Sequence, residues 1–262
     1  MPRRAPSGAT EPVRGLEAIL YREAKIRFTN YAWMFWDVLY PLGYLLIFGV
    51  GINYAMGSPL PTMDIDYNEF FLGGVLAMAS FGIASNTAWG FFLDRDNGIF
   101  YEMLTYPLSR AAYLAGKVSF NVLLALVQAG VTVGMSALIL DVKLRPTLLP
   151  WMLFGVVVGT AGWFFFFAIF ALRIRRNDVF NTVISIFYFL FLFASSMFYP
   201  LEPLPGWFQR MALANPITWQ VDLLRYGTVG LAPSYLTLEI LAFVAFTLAA
   251  FYSGVRTLSQ RS

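Results

Sequence analysis

Six stretches of roughly 20 mostly apolar residues, each long enough to cross a hydrocarbon core of about 30 Å, constrain this chain of 262 residues more than any other feature. They run over 33–54, with Asp37 near the start and Pro41 inside; 70–93, with no internal charge; 118–140; 147–172, which contains the phenylalanine run 164–167; 179–199; and 235–255, whose one charge is Glu239. Lipid offers no hydrogen bonds, so a spanning segment must satisfy its own backbone. The spacing therefore predicts an all-α integral membrane protein with six transmembrane helices. Charged residues make up only 13% of the chain, against about 25% in soluble domains.

Several chemistries are excluded at once. There is no Cys and no His, which removes thiolate and imidazole metal ligands and the commonest general base. A phosphate loop would read G-x-x-x-x-G-K-[ST]. The only Gly-Lys pair is Gly116-Lys117, followed by Val118, and Ala111 stands where the first Gly belongs. No G-x-S-x-G and no paired intramembrane carboxylates are present. The expectation is a chain that is not an enzyme and holds no cofactor or metal. Arg3 and Arg4 are followed by polar sequence rather than an apolar core, so no secretory leader is expected.

Basic residues set the orientation. Of the 18 Lys and Arg residues, only Lys143, Arg145, Arg210 and Arg225 fall on one side of the six-span arrangement. Both termini are therefore expected on the cytoplasmic side, and the acidic loop with Asp64, Asp66 and Glu69 outside. Asp37 and Glu239 sit near span ends, where snorkelling or pairing with an Arg accounts for them. Asn86, Thr87, Asn121, Gln128, Asn181, Thr182 and Ser185 fit hydrogen bonds between helices. The aromatic runs 164–167 and 187–193 fit lipid-facing or packed positions, with an amphiphile path as the rarer alternative.

Three segments are too polar for the hydrocarbon. Residues 12–28 read as an interfacial helix, with Leu16, Ile19, Leu20 and Ile26 on one side and Arg14, Arg22 and Lys25 on the other. Glu23 and Arg27 spoil the apolar arc. Residues 200–232 hold Pro200, Pro203, Pro205 and Pro216 with Trp207, Phe208, Trp219 and Tyr226. That composition fits two short helices in or on the outer leaflet, because Pro opens helices and breaks their interiors. The third segment is DRDNGIFYEMLTYPLSR, residues 94–110. Its core, 98–105, reads as a two-turn helix with Ile99, Phe100, Met103 and Leu104 as apolar anchors. Pro107 stops it and Ser109 caps the next helix. Such a helix suits docking into a partner's groove, or lying flat on lipid.

At this point the residues resemble a family, the permease subunits of ABC exporters of the second type, which export drugs, lipo-oligosaccharides and polysaccharides. FLDRDNGIFYEMLTYPLSRAAYLAGK resembles that family's cytoplasmic loop between spans two and three. SSMFYPLEPLPGWFQRMALANPITWQVDLLRYG resembles its signature after span five. The resemblance implies a cytoplasmic N-terminus over 1–32 and a type-2 transmembrane domain over 33–262, with a coupling helix and an extracytoplasmic re-entrant helical hairpin. Arg95, Gly98, Ile99, Phe100, Glu102, Met103, Leu104 and Pro107 would couple to a separate ATPase, present in two copies, which supplies the ATP and Mg. Tyr199, Pro200, Glu202, Pro205, Trp207, Asn215, Pro216, Asp222 and Arg225 carry the hairpin signature. A second permease, identical or not, would complete the path for a glycolipid, lipid-linked glycan or hydrophobic drug. The setting implied is a bacterial-type inner membrane, with lipid as neighbour and no nucleic acid partner. The rivals are an ion-coupled secondary transporter, which should show midplane charge, a membrane enzyme, and a non-transporting scaffold.

Overall fold

The computed structural model describes residues 11–56, 65–106 and 109–259. Arg3, Arg4, Asp64, Pro107 and Arg261 lie outside the described residues. All regular structure among the described residues is helical. Helix α1 is Glu11–Thr29, and α2, Tyr31–Tyr44, continues through a π-turn at Leu45–Gly49 into α3, Val50–Met56. Then come α4 (Tyr67–Asp96), α5 (Ile99–Met103), α6 (Arg110–Ile139), α7 (Leu149–Arg173), α8 (Asn177–Phe193), α9 (Gly206–Leu213), α10 (Pro216–Val229) and α11 (Leu236–Ser259).

Among the described residues, five helical segments are long and apolar enough to cross a membrane: Phe35–Ala55, Tyr67–Asp96, Ala112–Ile139, Pro146–Arg173 and Leu236–Leu258. The fifth expected span differs from the reading of 179–199. Its helix, α8, has 17 residues and stops at Phe193. At 1.5 Å per residue it is about 25 Å long, short of the ~30 Å core. The cause lies more than 20 residues downstream. Asn215 Nδ2 donates to the carbonyls of Phe191 (2.8 Å) and Ala194 (2.9 Å), taking acceptors that a continuing helix would use. Ser195 Oγ takes that of Leu192 at 2.6 Å. The first span departs from regular α-helix for a local reason: Pro41 removes an amide donor and crowds the preceding turn, and the π-turn begins four residues later, at Leu45.

Helix α4 is the mast of the molecule, buried along most of its length against α6, α7 and α10. It starts with a capping box, Asp66 accepting from the N3 amide and Glu69 bonding back to the Asp66 amide. Glu69 also accepts from Lys143 N at 3.1 Å, so two of the acids expected on an open loop instead cap a helix and pin a neighbour. Helix α10 runs antiparallel to α7. Gln220 of α10 meets Trp163 (2.8 Å), and Gly227, two turns on, lies against Met152. A Cβ on Gly227 would stand 2.3 Å from Met152 N, so only glycine allows this approach. The bundle thus has two ends. One carries α9 and the exit of α10; the other carries α5 and the ends of α4, α7 and α11.

The Cys-free chain makes the sidedness directly measurable. With the basic end cytoplasmic, Asp66→Cys is expected to react only with reagent added outside, and Asn177→Cys only with reagent added inside. Glu202→Cys and Ala232→Cys should both react from outside, because α9 and α10 enter and leave the bundle on one side. Labelling of Glu202→Cys and Ala232→Cys from opposite sides would mean that this hairpin crosses the membrane.

Candidate functional site

Among the described residues, α5 is the one short helix at the basic end, held between two 30-residue helices, α4 and α6. Its start needs Gly98, whose φ of +78° is a left-handed conformation that reverses the chain after α4. Its exit is set by Ser109, whose Oγ accepts from Ala112 N at 3.1 Å and caps α6 as its position suggested. Arg95 fixes the end of α4 to the last turn of α7. It donates to the carbonyls of Ala171 and Ile174 (2.7 Å to the latter) and lies 4.8 Å over the Phe92 ring. Arg95 is thus an internal tie between α4 and α7.

The faces of α5 are not those the apolar residues suggested. Phe100, expected among the outward anchors, is 3% exposed and packs edge-on against Phe91 and Tyr113 at 5.5 and 5.1 Å. Met103 and Leu104 are partly buried against the core, and Ile99 is half-buried. The outward face is made by Tyr101 (56% exposed) and Glu102, with Tyr106 (66% exposed) three residues beyond the helix end. The helix has five residues, shorter than the two turns expected. One turn offers no periodicity from which to choose a face, and in a membrane protein the inner side takes the apolar ring.

Behind α5 lies a buried cluster of charge. Asp94, in the last turn of α4, accepts from Arg22 of α1 (2.5 and 3.1 Å) and from the Tyr113 hydroxyl of α6. Lys117 of α6 stands 3.2 Å from Asp94 and donates to Glu23 of α1 at 2.8 Å. Arg22 also meets Glu23 at 3.1 Å. A second layer lies one turn further along α1 and α6 and two turns along α4. There Arg27 pairs with Asp37 of α2 at 2.6 Å and donates to Asn121 at 3.2 Å, and Asn86 donates to Asp37 at 3.3 Å. The two residues that broke the apolar arc of α1, Glu23 and Arg27, are thus the ones turned inward. Asp37 has found the Arg partner expected for it. Asn86 and Asn121 do bridge helices, whereas Gln128, Asn181, Thr182 and Ser185 bond within their own helices.

At the other end, Arg225 of α10 is buried and uses its whole fork. It donates to the Phe70 carbonyl (2.9 Å), the Ser196 hydroxyl (3.2 Å) and carbonyl, the Met197 carbonyl (3.3 Å) and Asp222 (2.9 Å). Burial pushes the Asp222 carboxyl above its ordinary value against the pull of Arg225, and the same burial lowers Arg225. Asn215 caps α10 by accepting from Ile217 N at 3.0 Å, with Pro216 at the first helical position. Pro205 is the N-cap of α9, Tyr199 donates to the Phe193 carbonyl, and Trp207 is exposed. Pro200 and Glu202 line a cavity of about 320 Å³ with Asp222 and Arg225. Glu239 of α11 is buried, and neither carboxyl oxygen has a hydrogen-bond partner among the described residues.

Between α2, α4 and α8 opens an apolar groove of about 530 Å³, walled by Trp36, Tyr40, Tyr44, Tyr188 and Phe189, with Asp37 and Asn86 in its lining. Phe164 and Phe167 are buried in the core, so the 164–167 run is packing rather than path.

Residues 14–229 match the family described as ABC-2 type transporter. The chain is 30% identical over 199 residues to the daunorubicin resistance ABC transporter permease protein DrrB1 of Streptomyces coeruleorubidus, covering 74% of this chain and 68% of that protein. It is 27% identical over 192 residues to ycf38 of Pyropia yezoensis, named as a transport permease, covering 72% of this chain and 65% of that one. With ycf38 of Porphyra purpurea the figures are 26% over 223 residues, 82% and 74%. The match over most of its length makes this chain a member of the ABC-2 type transporter family of membrane permeases.

Proposed function

We propose that this permease is the membrane half of an ATP-driven exporter. Two copies of a separate ATPase supply ATP and Mg, and a second permease, identical or not, completes the path. The observation that carries this reading is α5: one helical turn with Tyr101 and Glu102 exposed on it and the exposed Tyr106 three residues past its end, seated on Phe100 between the long helices α4 and α6. A push on so short a helix goes directly into both long ones. The basic end is then the cytoplasmic side of a bacterial-type inner membrane, and α9–α10 form a re-entrant hairpin on the outer side. The groove between α2, α4 and α8 suits a large or amphiphilic cargo such as a glycolipid, a lipid-linked glycan or a hydrophobic drug. Its aromatic walls take an apolar body, and Asp37 and Asn86 offer polar contacts near its edge.

The experiment is co-expression with a candidate ABC ATPase from the same genome, followed by ATP-dependent uptake of daunorubicin or a fluorescent glycolipid into inside-out vesicles. Co-purification with ATP-driven uptake is expected. A permease that never associates with an ATPase overturns the reading. The buried, unpartnered Glu239 favours a second reading, ion-coupled transport. Uptake that persists without ATP and stops with a protonophore would select it.

A further inference from the structure

We propose that Tyr113 and Asp94 are positioning residues of the coupling step. They join α5, α4, α6 and α1 into one rigid lever, which carries a push on α5 to the Arg27–Asp37 pair at the foot of the first span. The proposal rests on the coupling reading above and adds the route inside the permease.

The contacts are continuous. The Phe100 ring of α5 lies 5.1 Å from the Tyr113 ring of α6, and the Tyr113 hydroxyl donates to Asp94, five residues before α5 begins. Asp94 holds Arg22 and Lys117, and Lys117 holds Glu23, so α1 is tied to both helices that flank α5. Cations and acids in this cluster are matched, and Glu23, Asp94 and Lys117 are all buried. Opening it would leave charges buried without partners, which is costly. Sliding α1 over α6 is also resisted, because Gly116 fits closely under Ile19. One turn further along α1, Arg27 grips Asp37, whose carboxylate also faces Asn86 and lines the groove between α2, α4 and α8. Displacement of α5 therefore moves α1 with it and pulls on the groove wall, rather than being lost in the loop.

The test uses the full permease bound to its ATPase, with spin labels on pairs of introduced cysteines. Tyr21→Cys with Thr105→Cys reports α1 against the α5 segment. Thr105→Cys with Leu248→Cys reports that segment against α11; all three side chains are exposed, and none is a docking tyrosine. Between the nucleotide-free and the ATP-plus-vanadate states, the second distance should shift and the first should not. In a Tyr113→Phe background the ring packing is kept and only the hydroxyl is lost, so the permease still folds. The first distance should then shift as well, because α5 has slipped its link to Asp94. A nucleotide-dependent change of the first distance in the unmodified permease overturns the lever. So does a Tyr113→Phe permease that keeps the distance fixed. If the second distance does not move at all, α5 is not a coupling element, and the functional reading falls together with the lever.

Discussion

Arg225→Ala is expected to cost about 3–5 kcal/mol of stability, the size found when one partner of a buried ion pair is removed, and to release the hairpin end of the molecule. Two losses combine. Asp222 stays buried beside a missing cation, and the carbonyls of Ser196 and Met197, in a stretch of chain that is not helical, lose their donor, as the Phe70 carbonyl of α4 loses its contact with the Arg225 side chain. Irregular backbone survives at membrane depth only when side chains satisfy it. The two losses are separable. Asp222→Leu with Arg225→Met removes the stranded charge but not the orphaned carbonyls. If the pair alone mattered, the double variant would recover wild-type stability. The clamp described here predicts that it recovers only part. Thermal unfolding in detergent reads both, and an unchanged midpoint in Arg225→Ala would show that 196–197 is held by something else.

Tyr101→Ala with Tyr106→Ala is expected to abolish association with the ATPase while the permease folds and inserts normally. Exposed aromatic residues at the centre of an interface commonly carry about 2 kcal/mol or more each, and neither ring contributes to the permease core. Phe100→Ala should behave differently. It removes a buried ring from under α5, at about 3–5 kcal/mol, so permease stability and ATPase binding should fall together. Glu102→Gln should have a small effect, since exposed charge pairs are worth about 0–1 kcal/mol. Co-elution and unfolding temperature on the same preparations separate these cases. Loss of binding in Phe100→Ala at full stability, with a silent tyrosine pair, would restore the apolar face as the docking surface.

The division between what the sequence discloses and what it hides follows the range of the interactions. Hydropathy marks the long helices because each span's environment is set by its own residues. The Ser109 cap and the Asn215-Pro216 helix start are equally local. The early end of α8 is not local: the apolar run continues to Tyr199, and the stop comes from Asn215. The inward face of α1 is hidden for the same reason. Glu23 and Arg27 look like faults in an amphipathic helix until Lys117 and Asp37, far along the chain, are placed beside them. The signal was nevertheless present, since charges that interrupt an apolar arc next to a membrane span require partners. Arg225 was visible as part of a signature, but its role as a clamp on 196–197 depends on a hairpin fold that spacing alone does not supply.

The claim that α5 is where the ATPase pushes is tested most directly by cross-linking. In the Cys-free chain, Tyr101→Cys and Tyr106→Cys each present one thiol on the outward face of this segment. Leu248→Cys on α11 presents an equally exposed thiol within a spanning helix. With a short thiol-to-amine reagent on the purified complex, both tyrosine positions should yield a permease–ATPase adduct, and Leu248→Cys should yield none. An intact complex that gives no adduct from either tyrosine position would contradict the account.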